Sequence, residues 1–304
     1  MNKYVVVLAL LLLVSCGGSQ SSQASTQYVG TEGVTLEFLS RQPPRLVYDN
    51  LPFTISVRVT NEGAQNIQSE SDPIIVTSNL RSLFYLEPLE QRSLDKKRVQ
   101  LYGKEPGSPG EDVILDFGRF QATEDGPLQE GVEDIVIEAC YPYRTTFSDT
   151  ICTENPLASD DSICNPQDSY SYSGQGAPVA ITEVTPVLIP QGENSQQRRL
   201  YKPEYQITLR NVGDGTTHLS GPQTCDNVQE RNSAKIKASL NGQQLDCGSN
   251  TVSFRNGQAL KRCTLQGAQE PLRTNYQAIL DVVVEYDYTS SVTTNVRVQP
   301  RPNT

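Results

Sequence analysis

The chain has 304 residues, a formal net charge of −10, seven cysteines, one histidine and no tryptophan. So acidic a balance excludes nucleic acid as a partner and argues against electrostatic attraction to anionic lipid. The length suffices for about two domains.

The first residues, Met1-Asn2-Lys3, place one positive charge before an apolar run from Tyr4 to Val14. That is the layout of a secretory signal, and it falls short of the roughly 20 apolar residues a spanning helix needs. Leu13-Val14-Ser15-Cys16 resembles the lipobox of prokaryotic lipoproteins. The resemblance implies cleavage after residue 15 and a lipid on the Cys16 thiol, anchoring the protein to the extracytoplasmic face of the membrane. The plainer alternative is an ordinary signal peptide, residues 1–15, with an incidental cysteine. Residues 16–27, rich in Gly, Ser and Gln, suit a flexible tether.

From Gly33 onward the pattern is β. Val34, Leu36 and Phe38 alternate with polar residues, and Phe53 to Val59 alternates strictly before Asn61-Glu-Gly63. Short apolar runs follow at Ile74–Val76, Val99–Leu101, Val113–Leu115 and Ile135–Ile137, separated by Gly, Pro and acidic loops. No window carries an apolar stripe at helical period. The first signature recurs 150 residues later as Tyr205-Gln-Ile207-Thr-Leu209-Arg-Asn211-Val-Gly213, again after a proline. This is an internal repeat, and Asn-x-Gly is read as a turn tolerant of positive φ. Asn241-Gly242 and Asn256-Gly257 mark tight hairpins. The last stretch, Ala278–Tyr288 and Val292–Gln299, reads as a closing hairpin around Thr289-Ser290-Ser291.

The expected fold is therefore all-β: two immunoglobulin-like antiparallel β-sandwiches in tandem after a lipoprotein signal and flexible tether. Domain 1 spans residues 28–168, a Ser/Gly/Pro-rich linker spans 169–178, and domain 2 spans 179–304. The proline-preceded strand of the form aromatic-x-Ile-x-Val-x-Val-x-Asn-x-Gly resembles the early strand of CARDB and related immunoglobulin-like domains. Two in series resemble archaeal-type surface lipoproteins. The resemblance implies a surface location and a link to adhesion, and it carries over no binding residue.

The six cysteines beyond Cys16 read as disulfides, given an exported chain. Strand parity places Cys140 and Cys152 outward on neighbouring strands joined by a turn at Arg144–Ser148, where they can face each other. The two Asn-Gly turns set a register that brings Cys247 and Cys263 inward together. Cys164 and Cys225 remain, either as free thiols or as a bridge between the domains, and the bridge is favoured.

Signals for chemistry are sparse. His218 is the one histidine, in Asp214-Gly-Thr-Thr-His218-Leu219. A Ser/His/Asp set can be imagined around it, but no Gly-x-Ser-x-Gly elbow supports one, and a surface histidine is the expectation. No metal or cofactor motif is present, so none is expected. The acidic pairs Glu124-Asp125 and Asp160-Asp161 lack calcium-loop spacing and read as solvated loops. Tyr141, Tyr143, Tyr170 and Tyr172 form a Tyr/Ser/Gly mixture that either presents a binding surface or packs the domain junction. The reading is of a non-enzymatic surface lipoprotein that serves adhesion or envelope assembly. It would touch the membrane through lipid on Cys16 and bind an unknown envelope protein or a surface glycan. The alternative is a solute- or glycan-binding module of the envelope.

Overall fold

The computed structural model describes residues 28–48, 51–90, 95–123, 130–154, 163–193, 195, 197, 199–221, 225, 230–267 and 275–300. The expected signal, Cys16, the tether, Glu124-Asp125 and Asp160-Asp161 lie outside the described residues. The described chain is all-β. Its first part holds β1 (Val34–Phe38), β2 (Leu46–Tyr48), β3 (Phe53–Asn61), β4 (Ile74–Ser78), β5 (Leu86–Pro88), β6 (Lys97–Val99), β7 (Asp112–Ala122) and β8 (Gly131–Thr153). Its second part holds β9 (Tyr170–Ser171), β10 (Val179–Glu193), β11 (Arg199–Asn211), β12 (Thr216–Leu219), β13 (Ser233–Leu240), β14 (Gln243–Gln244), β15 (Thr251–Ser253), β16 (Gln258–Thr264) and β17 (Tyr276–Gln299).

Three sheets result. One is ordered β1-β3-β7-β5, and a second β16-β11-β10-β9. The third runs β14-β13-β17-β8-β4-β6, with β12, β15 and β2 attached to it. At its centre β8 and β17 pair antiparallel without a break, from Tyr276↔Thr153 to Val298↔Gly131. One apolar core contains residues from both parts of the chain, among them Ile55, Phe120, Ile207 and Val284.

The unbroken β8–β17 ladder corrects two expectations. The turn expected at Arg144–Ser148 does not form, and neither does the closing hairpin at Thr289–Ser291. Both segments lack the Gly, Asn or Asp that a tight reversal requires, and their β-branched threonines favour extended backbone. Cys140 and Cys152 therefore sit on one continuous strand, roughly 40 Å apart at 3.3 Å per residue, and cannot bond. Cys140 bonds Cys225 instead (Cα–Cα 5.5 Å), and Cys152 bonds Cys164 (5.9 Å). The expected Cys164–Cys225 bridge is thus also corrected, although one disulfide does link the two parts of the chain. Cys247 bonds Cys263 (4.0 Å) as expected, beside the Asp246↔Thr264 bridge; the Asn-Gly turns set only the pairs next to them, since β15 pairs with β13 and β16 with β11. Both turn asparagines have positive φ, 47° at Asn241 and 53° at Asn256, each followed by a positive-φ glycine.

The stretch read as a linker is packed. Tyr170–Ser171 is β9, which pairs with β10, and Gln175 and Ala177 are buried. Gln175 closes a local ring by accepting from Ile181 N–H and donating to Ile181 C=O, at 2.9 and 3.0 Å.

The repeat seen in the sequence is a structural one. Val34 pairs with Asn61 across β1–β3, as Val179 pairs with Asn211 across β10–β11. Tyr141 and Tyr143 on β8 recur as Tyr286 and Tyr288 on β17. The ladder sets Tyr143 opposite Tyr286 and Tyr141 opposite Tyr288, so a pseudo-two-fold axis passes through the Pro142↔Asp287 pair. The four rings form one cluster with centroids about 6 Å apart. Tyr141 and Tyr143 are therefore core residues, which corrects their reading as a binding surface. Their positions in β8 point inward, and each hydroxyl has a backbone task. The Tyr141 hydroxyl accepts from Val34 N–H (2.9 Å), and the Tyr286 hydroxyl accepts from Val179 N–H (3.2 Å). Tyr143 donates to Gly176 C=O (2.8 Å) and accepts from Gln65 N–H (3.2 Å). Tyr288 donates to Asn211 Oδ1 (3.0 Å) and accepts from Gly215 N–H (2.7 Å). Tyr170 and Tyr172 are half-buried. The first hydroxyl bonds the Cys152 backbone, and the second ring packs edge-on against Phe147 at 4.6 Å.

The conserved geometry also revises the Asn-x-Gly reading. Gly63 and Gly213 are not among the residues with positive φ. A Cβ on Gly63 would lie 1.9 Å from the Tyr143 hydroxyl, and one on Gly213 would lie 2.7 Å from the Tyr288 hydroxyl. Glycine is needed there for close approach, not for handedness.

Candidate functional site

Adjacent residues on a strand point to opposite faces, so the strands that carry the tyrosines inward carry a second set outward. Ile75 pairs with Cys140, Cys140 with Thr289, and Thr289 with Thr216, forming a row across β4, β8, β17 and β12. The next row is Thr77, Glu138 and Ser291. These residues floor a pocket of about 260 Å³. Asp214, His218, Cys225 and Arg231 complete its lining. The Cys140–Cys225 disulfide reaches over β17 and holds Cys225 against this face.

His218 is not a surface residue, which corrects the expectation. It is 3 % exposed, paired in β12 with Asp287 of β17, and bridged on its other side by Arg231. Its Nε2 and the Thr289 hydroxyl lie 3.1 Å apart, while Nδ1 is buried without a hydrogen-bond partner. Burial, and secondarily the Arg231 charge, hold the imidazole pKa below its usual 6.5. A hydrolytic triad needs a carboxylate on that second nitrogen to orient and stabilise the imidazolium. Here the nitrogen has none, and the group is held neutral.

A pH effect follows. The unfolded chain takes a proton on His218 near pH 6.5, and the folded chain takes it only at lower pH. Stability therefore falls as pH drops below 6.5. Between pH 7.5 and 5.5 the loss should reach up to ~1.4 kcal/mol. His218→Gln should remove that increment, as measured by urea unfolding at the two pH values. An equal loss in both proteins would rule the assignment out.

Two further features stand apart from this pocket. Among the described residues no group of three or more His, Cys, Asp or Glu could hold a metal ion. A cleft of about 430 Å³ lies where the end of β8 meets β10, lined by Thr153, Glu154, Asp168 and Val187 among others. The sequence reading missed the outer-face pocket because its residues come from four strands distant in the chain. The available signal was the alternation of hydroxyl and charged residues at 138, 216, 218, 289 and 291.

Three disulfides indicate an oxidising, extracytoplasmic environment. Among the described residues no helix is long and apolar enough to cross a membrane. No family model matches the chain, and no curated protein matches it. One solved structure in the comparison is titled "Complete structure of manganese lipoxygenase of Gaeumannomyces graminis and partial structure of zonadhesin of Komagataella pastoris". It shares 12% identity with this chain, covers 88% of it and 93% of its own, and has a TM-score of 0.15. A likeness at that level carries no argument about fold or function.

Proposed function

We propose that this protein is a non-enzymatic, lipid-anchored component of the outer face of a cell membrane, acting in adhesion or envelope assembly through protein–protein contacts. The fold reading attached to it is two immunoglobulin-like sandwiches that share the β8–β17 pair. Each places one four-stranded sheet over its portion of the large sheet. The lipid anchor rests on the Leu13–Cys16 resemblance and on the oxidising environment that the disulfides indicate.

The observation that carries the contact role is a projecting arm. β10 and β11 stay paired as far as Glu193↔Arg199. β9 covers only Glu183 and Val184 of β10, and β16 stops at Glu204 of β11. Beyond those points, apart from Leu265 N–H donating to Pro203 C=O (3.0 Å), no described strand pairs with either edge of the ribbon. Pro186 faces Tyr205, Pro190 faces Tyr201 and Pro203 faces Leu188. Proline has no N–H to give, so these positions remove outward donors and blunt the edges against indiscriminate strand addition. What the arm offers a partner is its face, where Val187 and Ile189 are half-buried between Glu204 and Lys202 across the ladder.

Two measurements test this reading. Cys16→Ser should move the protein from the detergent phase to the aqueous phase without changing its thermal unfolding. Retention with membranes would sink the anchor. The soluble body should bind envelopes isolated from its source cells, and Val187→Asp with Ile189→Asp should abolish that binding while the circular dichroism stays the same. Equal binding by the variant, or none by the native body, would sink the contact role.

A further inference from the structure

We propose that the outer-face pocket binds a small zwitterion, with an ammonium and a carboxylate on one compact molecule, as in a free α-amino acid. This site is separate from the β10–β11 arm, so the two assignments stand or fall independently.

The charges make the case. Glu138, Asp214 and Arg231 all line the pocket, and all three are exposed at its rim. Among the described residues none of the three side chains makes a hydrogen bond or an ion pair, so the opposite charges do not pair with one another. A guanidinium is a planar fork that matches a carboxylate with two parallel hydrogen bonds. A carboxylate pair accepts from an ammonium. A dianion would meet two carboxylates, and a simple cation would meet Arg231. A ligand carrying both signs satisfies both ends.

The floor supplies the rest. The hydroxyls of Thr77, Thr216, Thr289 and Ser291 line it, and each donates or accepts as required. His218 Nε2 holds the Thr289 hydroxyl at 3.1 Å while its own Nδ1 lacks a partner. Among the described residues no aromatic ring lines the pocket, so the stacking platform of a sugar site is missing from that lining. At about 260 Å³ it falls below the ~300–1,000 Å³ of sites for drug-sized ligands, which limits the occupant to a small molecule.

The first described residues lie on the tyrosine face of the large sheet. Gly30 accepts from Gly176 N–H (2.9 Å), and Gly176 in turn accepts from the Tyr143 hydroxyl. The pocket is on the opposite face of that sheet.

Isothermal titration of the purified body with each of the common free α-amino acids, up to about 10 mM, tests the proposal. At least one should bind. Its N-acetylated form and its decarboxylated amine should each bind at least about tenfold more weakly, since each lacks one charge-assisted contact. Arg231→Gln should weaken binding by a similar factor, as should the pair Glu138→Gln and Asp214→Asn. All are rim positions, and unchanged circular dichroism confirms the fold. The ligand-side comparison needs no variant. No binding by any amino acid, equal binding of the N-acetylated and free forms, or binding of neutral monosaccharides only would overturn the proposal.

Discussion

Residues 28–168 and 169–304, produced as separate pieces, are each expected to be largely unfolded as monomers and to fold together when co-expressed. The cut falls in an apparent linker, yet it separates β8 from β17. Each of those strands would then lose a ladder that runs from Tyr276↔Thr153 to Val298↔Gly131. Ile135, Ile137 and Tyr141 on one piece, and Val282, Val284 and Tyr286 on the other, are fully buried in the joined molecule. Exposing these six side chains at about 1.5–3 kcal/mol each is comparable to the whole ~5–15 kcal/mol by which a domain is stable. The lost Cys140–Cys225 link compounds the effect. A single piece that gains structure should do so as a homodimer, its long strand pairing with its own copy about Pro142 or Asp287. Native mass spectrometry and urea unfolding decide the matter. A monomeric piece with a sharp cooperative transition would refute the shared-strand account.

The particular residues show why the local parts of this fold were legible and the central part was not. Alternation located β3 and β11 and exposed their repeat, because a half-buried strand writes its two faces directly into the sequence. Asn241-Gly242 and Asn256-Gly257 fixed the two turns and the pairs beside them, because turn type dictates pairing next to a hairpin, and Cys247 and Cys263 are both buried as the inward reading required. Cys140 and Cys225 are separated by 85 residues and meet only because β12 lies beside β17 and β17 beside β8. Non-local pairing of that kind leaves no local mark. Composition left Tyr141 and Tyr143 between a binding surface and packing; they flank Pro142, which sits on the pseudo-two-fold axis inside a strand, and both rings pack. The pocket was invisible because no single strand contains more than two of its floor residues.

Tyr286→Ala is expected to cost about 3–5 kcal/mol, the usual range for emptying a large buried aromatic site. Tyr286 is fully buried at the axis, and its ring lies against those of both Tyr143 and Tyr288. Tyr286→Phe keeps the ring and removes the hydroxyl that accepts from Val179 N–H and lies 3.0 Å from Thr145 Oγ1. That leaves a buried donor unsatisfied and should cost about 1–3 kcal/mol. Ile279→Ala, at an exposed site on the same strand, should stay within about ±0.5 kcal/mol. Alkaline titration gives an independent readout. Burial first, together with neighbouring tyrosines, raises the Tyr286 and Tyr141 phenols well above 10.0, and burial pushes Tyr143 and Tyr288 up to about 12. Above pH 10 the unfolded chain releases these protons and the folded chain retains them, so the native state loses stability as pH rises. Each such tyrosine contributes a slope of up to ~1.4 kcal/mol per pH unit. Tyr286→Phe should therefore be less stable than the native protein at pH 7 and should lose less stability between pH 10 and 11. A variant with the native alkaline slope would show that the Tyr286 phenol ionises as freely in the folded chain as in the unfolded one, and the buried cluster would not be what joins the halves.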